Sequence, residues 1–149
     1  MRGIELRPLL SIEVAVQPVL ELRVDRRFVS FSGGRFVGRD DLEGKVLNGG
    51  TDWQQVRADG TFEIDAHYVL MTDSGEFIEV RSSGLRRVSP ELNERIMGGE
   101  AVDPESYYFR THVRLQTSAP KLEWLNDLIA LSTGHRERDV VHIDVHEVL

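Results

Sequence analysis

Short runs in which apolar and polar residues alternate one for one, each cut off by a turn signal, constrain this chain more than any other feature. Ile12, Val14 and Val16 alternate with Glu13, Ala15 and Gln17, the period of a half-buried strand. Pro18 interrupts, and Leu20, Leu22 and Val24 resume against Glu21, Arg23 and Asp25, so the proline marks a bend or an edge. Phe28 to Phe31 reads as a third short strand closed by Ser32-Gly33-Gly34, and residues 35–47 as strand punctuated by Gly38 and Gly44. The turn signals Asp59-Gly60 and Asp73-Ser74-Gly75 flank residues 61–72 and predict two successive hairpins, with Phe77 to Ser82 next. Further strands are expected over 107–117, 128–131 and 140–148. Ser89-Pro90-Glu91 predicts a helix to about Met97, ended by Gly98-Gly99, and Ser118-Ala119-Pro120 opens a short helix carrying Trp124.

This pattern is all-β: an antiparallel β-barrel of roughly eight to ten strands with one or two short helices. A barrel is favoured over a sandwich because the strands follow one another by tight turns, and closure removes exposed edges. No repeat, low-complexity segment or linker divides residues 1–149, which are read as a single domain.

Composition removes several function classes. The chain has no cysteine, which excludes a disulfide framework, a thiolate metal site and a cysteine nucleophile. A formal net charge of -7 argues against nucleic acid, whose phosphates call for a basic face. Arg23, Arg26, Arg27, Arg35 and Arg39 form a local basic cluster, read here as a solvated strand face. The first residues lack the apolar run of a signal peptide, and no apolar stretch is long enough to span a membrane, so a cytoplasmic protein is expected.

One stretch departs from plain turn chemistry. In Leu47-Asn48-Gly49-Gly50-Thr51-Asp52-Trp53-Gln54, two glycines precede a carboxylate and an indole at the mouth of a strand. Asp52 is read either as an Asx-turn residue or as a buried general base tuned by desolvation and a nearby arginine. On the strand 107–117, Tyr107, Phe109, Thr111, Val113 and Leu115 share one face; Tyr108, Arg110, His112, Arg114 and Gln116 share the other. The polar face belongs in water unless the barrel holds a ligand and inverts the arrangement. Under that inversion Arg110, among aromatics, offers a planar fork to a carboxylate or enolate oxygen. Trp53 and Trp124 are candidate pocket walls, and His67 a candidate proton shuttle. His142, Asp144 and His146 share a strand face, but the two histidines lie roughly 13 Å apart, so a solvated face is preferred and no metal is expected. No P-loop, dinucleotide fingerprint or nucleophile elbow is present, and no cofactor is expected.

With these residues assembled, the chain resembles the DUF3237 family, also called UPF0311. The resemblance rests on Gly33-Gly34-Arg35-Phe36-Val37-Gly38, Gly49-Gly50-Thr51-Asp52-Trp53-Gln54, Asp59-Gly60, Tyr108-Phe109-Arg110-Thr111, Trp124-Leu125-Asn126 and Ile143-Asp144-Val145, in order over nearly the whole chain. It implies a modest antiparallel barrel and little about activity. The family's polar and aromatic signature falls on Asp52, Trp53, Arg110, Trp124 and Asn126. The chain departs from the family at His67, often arginine there, and at Val113, Leu115, Gln116 and His146.

The leading expectation is therefore a small-molecule-binding barrel. Asp52 and Arg110 would be catalytic, as base and oxyanion stabiliser; Trp53, His67, Tyr108, Trp124 and Asn126 would bind the ligand. A cofactor-independent isomerase, lyase or cyclase acting on a molecule with a carbonyl or acid group fits these parts. A non-catalytic carrier and a structural, self-associating protein are the alternatives. The expected partner is a small molecule, with no nucleic acid and no membrane, and with a homo-oligomer left open.

Overall fold

The structure is a computed structural model describing residues 1–149. The strands are β1 (Leu6–Val16), β2 (Leu20–Arg23), β3 (Arg26–Gly38), β4 (Glu43–Val46), β5 (Thr51–Val56), β6 (Phe62–Thr72), β7 (Phe77–Arg87), β8 (Tyr108–Gln116), β9 (Ala130–Glu137) and β10 (Val140–Val148). One α-helix, α1 (Pro90–Met97), follows β7, and a 3-10 segment (Pro120–Asp127) joins β8 to β9. Every pairing is antiparallel, and the order β1-β10-β9-β8-β7-β6-β4-β3 closes through a β1–β3 ladder. Seven long strands each fill one place in the barrel; β4 and β5 share the eighth, bridging β3 to β6 at opposite ends, while β2 folds back on β3. The expected all-β antiparallel barrel is observed. No helix is long and apolar enough to cross a membrane.

β1 begins at Leu6, ahead of the expected Ile12, the expected strand over 35–47 is divided between β3 and β4, and three further differences bear on the interior. Ser32-Gly33-Gly34 does not close a strand; β3 runs through it, bent, with φ of 151° and 137° at the two glycines. β7 continues past Ser82 to Arg87, and β9 starts at Ala130 and runs to Glu137 rather than covering 128–131. The reason is common to both. Their inward faces turn from apolar to polar partway along (Ser82, Gly84, Arg86 and Ser132, Gly134, Arg136), so the alternation that announces a strand fades where the barrel interior becomes polar.

That gradient divides the interior. One end is filled by Ile12, Phe36, Leu70, Ile78, Val80, Val113 and Val145, all at most 2 % exposed, and is plugged by Leu125 from the 3-10 segment. Burial on this scale supplies most of the stabilisation, about 25 cal/mol per Å² of apolar surface removed from water. The other end stays polar and lies beneath α1. Ser89 caps that helix, its hydroxyl accepting from the Leu92 N–H at 3.2 Å, and Pro90 takes the first helical position.

Gly50 sets the geometry at this end. A Cβ there would lie 2.5 Å from the Tyr68 Cβ and 2.7 Å from Phe31 Cδ2, so only glycine lets β5 enter beside these two rings. Gly50→Ala is expected to destabilise the protein by about 1–3 kcal/mol through overpacking, read as a lower midpoint in urea unfolding with an unchanged slope.

Candidate ligand site in the barrel

The polar end encloses a cavity of about 60 Å³, room for about two waters or the head of a small ligand. Val14, Val29, Phe31, Ile64 and Phe109 form its apolar wall; Asp52, Gln54, Tyr68, Thr111, Arg27, Arg86 and Arg136 add polar atoms. Past Arg27, Arg136 and Met97 the cavity opens into a groove of about 920 Å³ between α1 and the β1–β2 turn.

Asp52 is buried because Thr51–Val56 pairs on both sides, with β3 and with β6, and its residues alternate in and out. Its carboxylate accepts from Gln54 Nε2 at 2.7 Å and from the Asp65 backbone N–H at 3.0 Å. Burial pushes its pKa up; the two hydrogen bonds and the Arg27 charge offset this only in part. Tyr68, fully enclosed, has its phenol pushed up by burial and by the Asp52 charge, so it stays a donor at any working pH.

Three arginines line the same cavity, and of these Arg27 is the one whose charge reaches Asp52. Burial lowers the pKa of Arg86 to about 10, and the charges of Arg27 and Arg136 add to the depression, so the three guanidinium groups feel one another. Arg27 and Arg136 are also lowered by burial. Arg86 donates from Nη1 to Asn93 Oδ1 of α1 at 3.0 Å, and Arg136 donates from Nε to the Arg138 carbonyl at 2.7 Å. Both Arg27 (4.5 Å) and Arg86 (5.4 Å) stand over the Phe62 ring. Arg86 Nη2 and Arg27 Nε are buried without a hydrogen-bond partner in the protein. A buried donor to which the fold gives no acceptor must find one in water or a ligand.

Of the residues singled out from the sequence, Asp52 alone lines this cavity. Asp52 and Arg110, both assigned catalytic roles from the sequence, do not meet. The burial of β8 alternates with every polar residue but Thr111 outward, so Arg110 lies on the outer face, stacked 5.3 Å from the Tyr108 ring and donating to the Phe109 carbonyl. The inversion fails because Phe109, Thr111, Val113 and Leu115 are needed inside. Tyr108 goes outward with Arg110. Trp53, next to inward Asp52, is likewise outside, against Phe28 (4.6 Å) and Arg26 (5.3 Å). His67 pairs with Glu79 on the outer surface of β6 and β7. Trp124 packs in the 3-10 segment under Arg39, 5.5 Å away, at the plugged end. Asn126 ties down that segment, accepting from the Thr117 N–H at 2.8 Å and donating to the Thr117 carbonyl at 2.9 Å.

The arginines that share the cavity with Asp52 were present in the sequence as parity signals. Arg27 shares its strand face with Val29 and Phe31, Arg86 with Ile78 and Val80, and Arg136 with Ala130. An arginine in step with buried residues enters the barrel. Arg27 therefore departs from the solvated basic face expected of it.

Comparison with known proteins gives a consistent picture. A family model described as "Protein of unknown function (DUF3237)" matches residues 4–148. A UPF0311 protein of Rhodopseudomonas palustris is 38% identical over 124 residues, 83% of this chain and 80% of that protein. The crystal structure of a conserved protein of unknown function, RPA1785, from Rhodopseudomonas palustris superposes with a TM-score of 0.93 at 33% identity, covering 100% of this chain and 99% of that one. A beta-barrel like protein from Acinetobacter baumannii gives a TM-score of 0.83 at 36% identity, covering 100% and 98%.

Proposed function

This chain belongs to the DUF3237 family, and from that footing we propose that it binds a small, partly apolar molecule through a carboxylate or enolate oxygen and exchanges a proton with it. The observation that carries the reading is the pair of orphaned donors, Arg86 Nη2 and Arg27 Nε, buried within reach of one cavity. Arg27, Arg86, Arg136 and Arg138 line the cavity and its groove against Asp52, Glu21 and Asp139, a small positive excess that grows when Asp52 is protonated and favours an anionic head. The apolar wall suits the adjoining carbon skeleton, and the groove under α1 holds the rest of the molecule.

Within this reading Asp52 serves as the acid–base group. Its raised pKa brings proton exchange toward the working pH, where such catalysis is most efficient. The oxyanion role expected of Arg110 passes to Arg86 and Arg27, preorganised donors in a water-poor site. A cofactor-free isomerisation, elimination or cyclisation requires no further group.

The test is a thermal-shift and calorimetric screen of small aromatic and aliphatic carboxylates against their matched amides. Carboxylates are expected to bind and raise Tm, and the amides to do neither. Equal response of both classes overturns the anion-binding reading. Mass spectrometry of the bound molecule after long incubation then separates turnover from a carrier, which returns its ligand unchanged.

A further inference from the structure

We propose that His135, Glu137 and His142 form a site for one divalent transition-metal ion of the zinc class on the outer face of the β9–β10 hairpin. The ladder places His142 directly across from His135, and the two imidazole rings stack in parallel with centroids 4.6 Å apart and planes 6° apart. Glu137, two residues along the same strand, turns its carboxylate to both: 3.6 Å to His135 Nε2 and 3.9 Å to His142 Nε2.

The three ligand atoms all lie within 4.8 Å of one another. Tetrahedral ligands bound at about 2.0–2.2 Å stand roughly 3.3–3.5 Å apart, so closure around an ion draws the ligand atoms together by about 1 Å and turns the two rings out of their stack, because each imidazole lone pair lies in its ring plane. The backbone is already fixed. Arg138-Asp139 is a two-residue connection, with Arg138 at a φ of 57°, which locks the register of both strands. Two imidazoles and one carboxylate select zinc, cobalt, nickel or copper over magnesium and calcium, which prefer all-oxygen shells. Glu13, opposite His142 on β1, adds negative potential from one side, while Arg35 opposite Glu13 tempers it.

The site is distinct from the single-strand set His142, Asp144 and His146 weighed from sequence. Asp144 is engaged by the Ser11 hydroxyl at 2.6 Å, and His146 is absent from the three-residue cluster. The ligands come together only through cross-strand register. The outward pair His135 and Glu137 flanks Arg136, whose side chain lines the barrel cavity, so the ion would sit behind one of the mouth arginines.

Calorimetric titration of the untagged full chain, stripped with chelator, with zinc and then nickel chloride tests this. One ion per chain is expected, with affinity reduced at least about tenfold by each of His135→Gln, His142→Gln and Glu137→Gln, since loss even of an outer-shell partner costs 10- to 100-fold. His67→Gln and His146→Gln are expected to bind as the wild type does. Cobalt gives a second readout, through visible bands of a four-coordinate complex in the wild type that are lost in His142→Gln. No binding, or equal binding by the wild type and the three ligand variants, overturns the site.

Discussion

Arg86→Met is expected to weaken binding of a small carboxylate by roughly 10- to 100-fold while leaving the barrel at least as stable as before. The first effect follows from losing charge-assisted hydrogen bonds in a water-poor cavity, each worth about 1.5–3 kcal/mol. The second follows from linkage. The folded state lowers the pKa of Arg86 from 12.5 to about 10, so burial disfavours its charged form. Between those values the unfolded chain holds more protons than the native one, and stability rises with pH; at neutral pH the whole penalty is in force. Its ceiling is on the order of 3 kcal/mol. Loss of the hydrogen bond to Asn93 and of the contact with Phe62 works against the gain. Urea unfolding at pH 7, paired with calorimetry of the carboxylate found by screening, reads both quantities. Arg110→Met, on the outer face, is the control and is expected to change neither. A variant that loses stability and binds the carboxylate unchanged assigns Arg86 to the fold.

The outcome for Arg110 and Arg86 shows which kind of information the chain carries openly. Where an inward face is apolar along its length, as in Ile12, Val14 and Val16 or Phe109, Val113 and Leu115, period-two alternation locates strand and face together. The helix α1 is as legible, because Ser89, Pro90 and Gly99, at a φ of 85°, each have a local reason to stand where they do. Asp52 is legible too, since two glycines and a carboxylate at the start of a strand are costly unless something needs them.

The site's partners are not legible in the same way, for a physical reason. A polar cavity replaces apolar side chains by polar ones on the inward face, which erases the alternation that locates the strand. So β7 reads only to Ser82, and most of β9 goes unseen, although these strands deliver Arg86 and Arg136. Trp53, Tyr108 and Arg110 attract attention as residue types, yet each is one step out of phase with the interior. A one-residue change of phase moves a side chain to the other face. Cross-strand register is further from view: nothing local to His135 or His142 says that they meet.

Asp52→Asn tests the remaining half of the site, and its expected signature is higher stability with lost chemistry. Burial raises the folded pKa of Asp52 above its ordinary value of 3.8. The native state therefore favours the protonated acid. That contribution is fully present below pH 3.8 and is lost as pH rises through the raised folded value, so the ionised group is a liability at pH 8. The neutral amide removes that liability. Its oxygen still accepts from the Asp65 N–H, and a flip of the Gln54 amide presents a carbonyl where Nε2 now donates. The variant is thus expected to melt higher than the wild type at pH 8 and with it at pH 4. Turnover of any substrate is expected to fall about 10²- to 10⁴-fold, the usual worth of a positioned proton-transfer group. A readout free of substrate is carboxylate affinity against pH. In the wild type it falls as Asp52 ionises beside the anion, while Arg27 and Arg86 stay charged and Tyr68 stays neutral; in the variant that fall disappears. A loss of more than about 3 kcal/mol at pH 8 would mean the opposite, a carboxylate that completes a structural network with Gln54 and the Asp65 backbone, and the acid–base role would have to be given up.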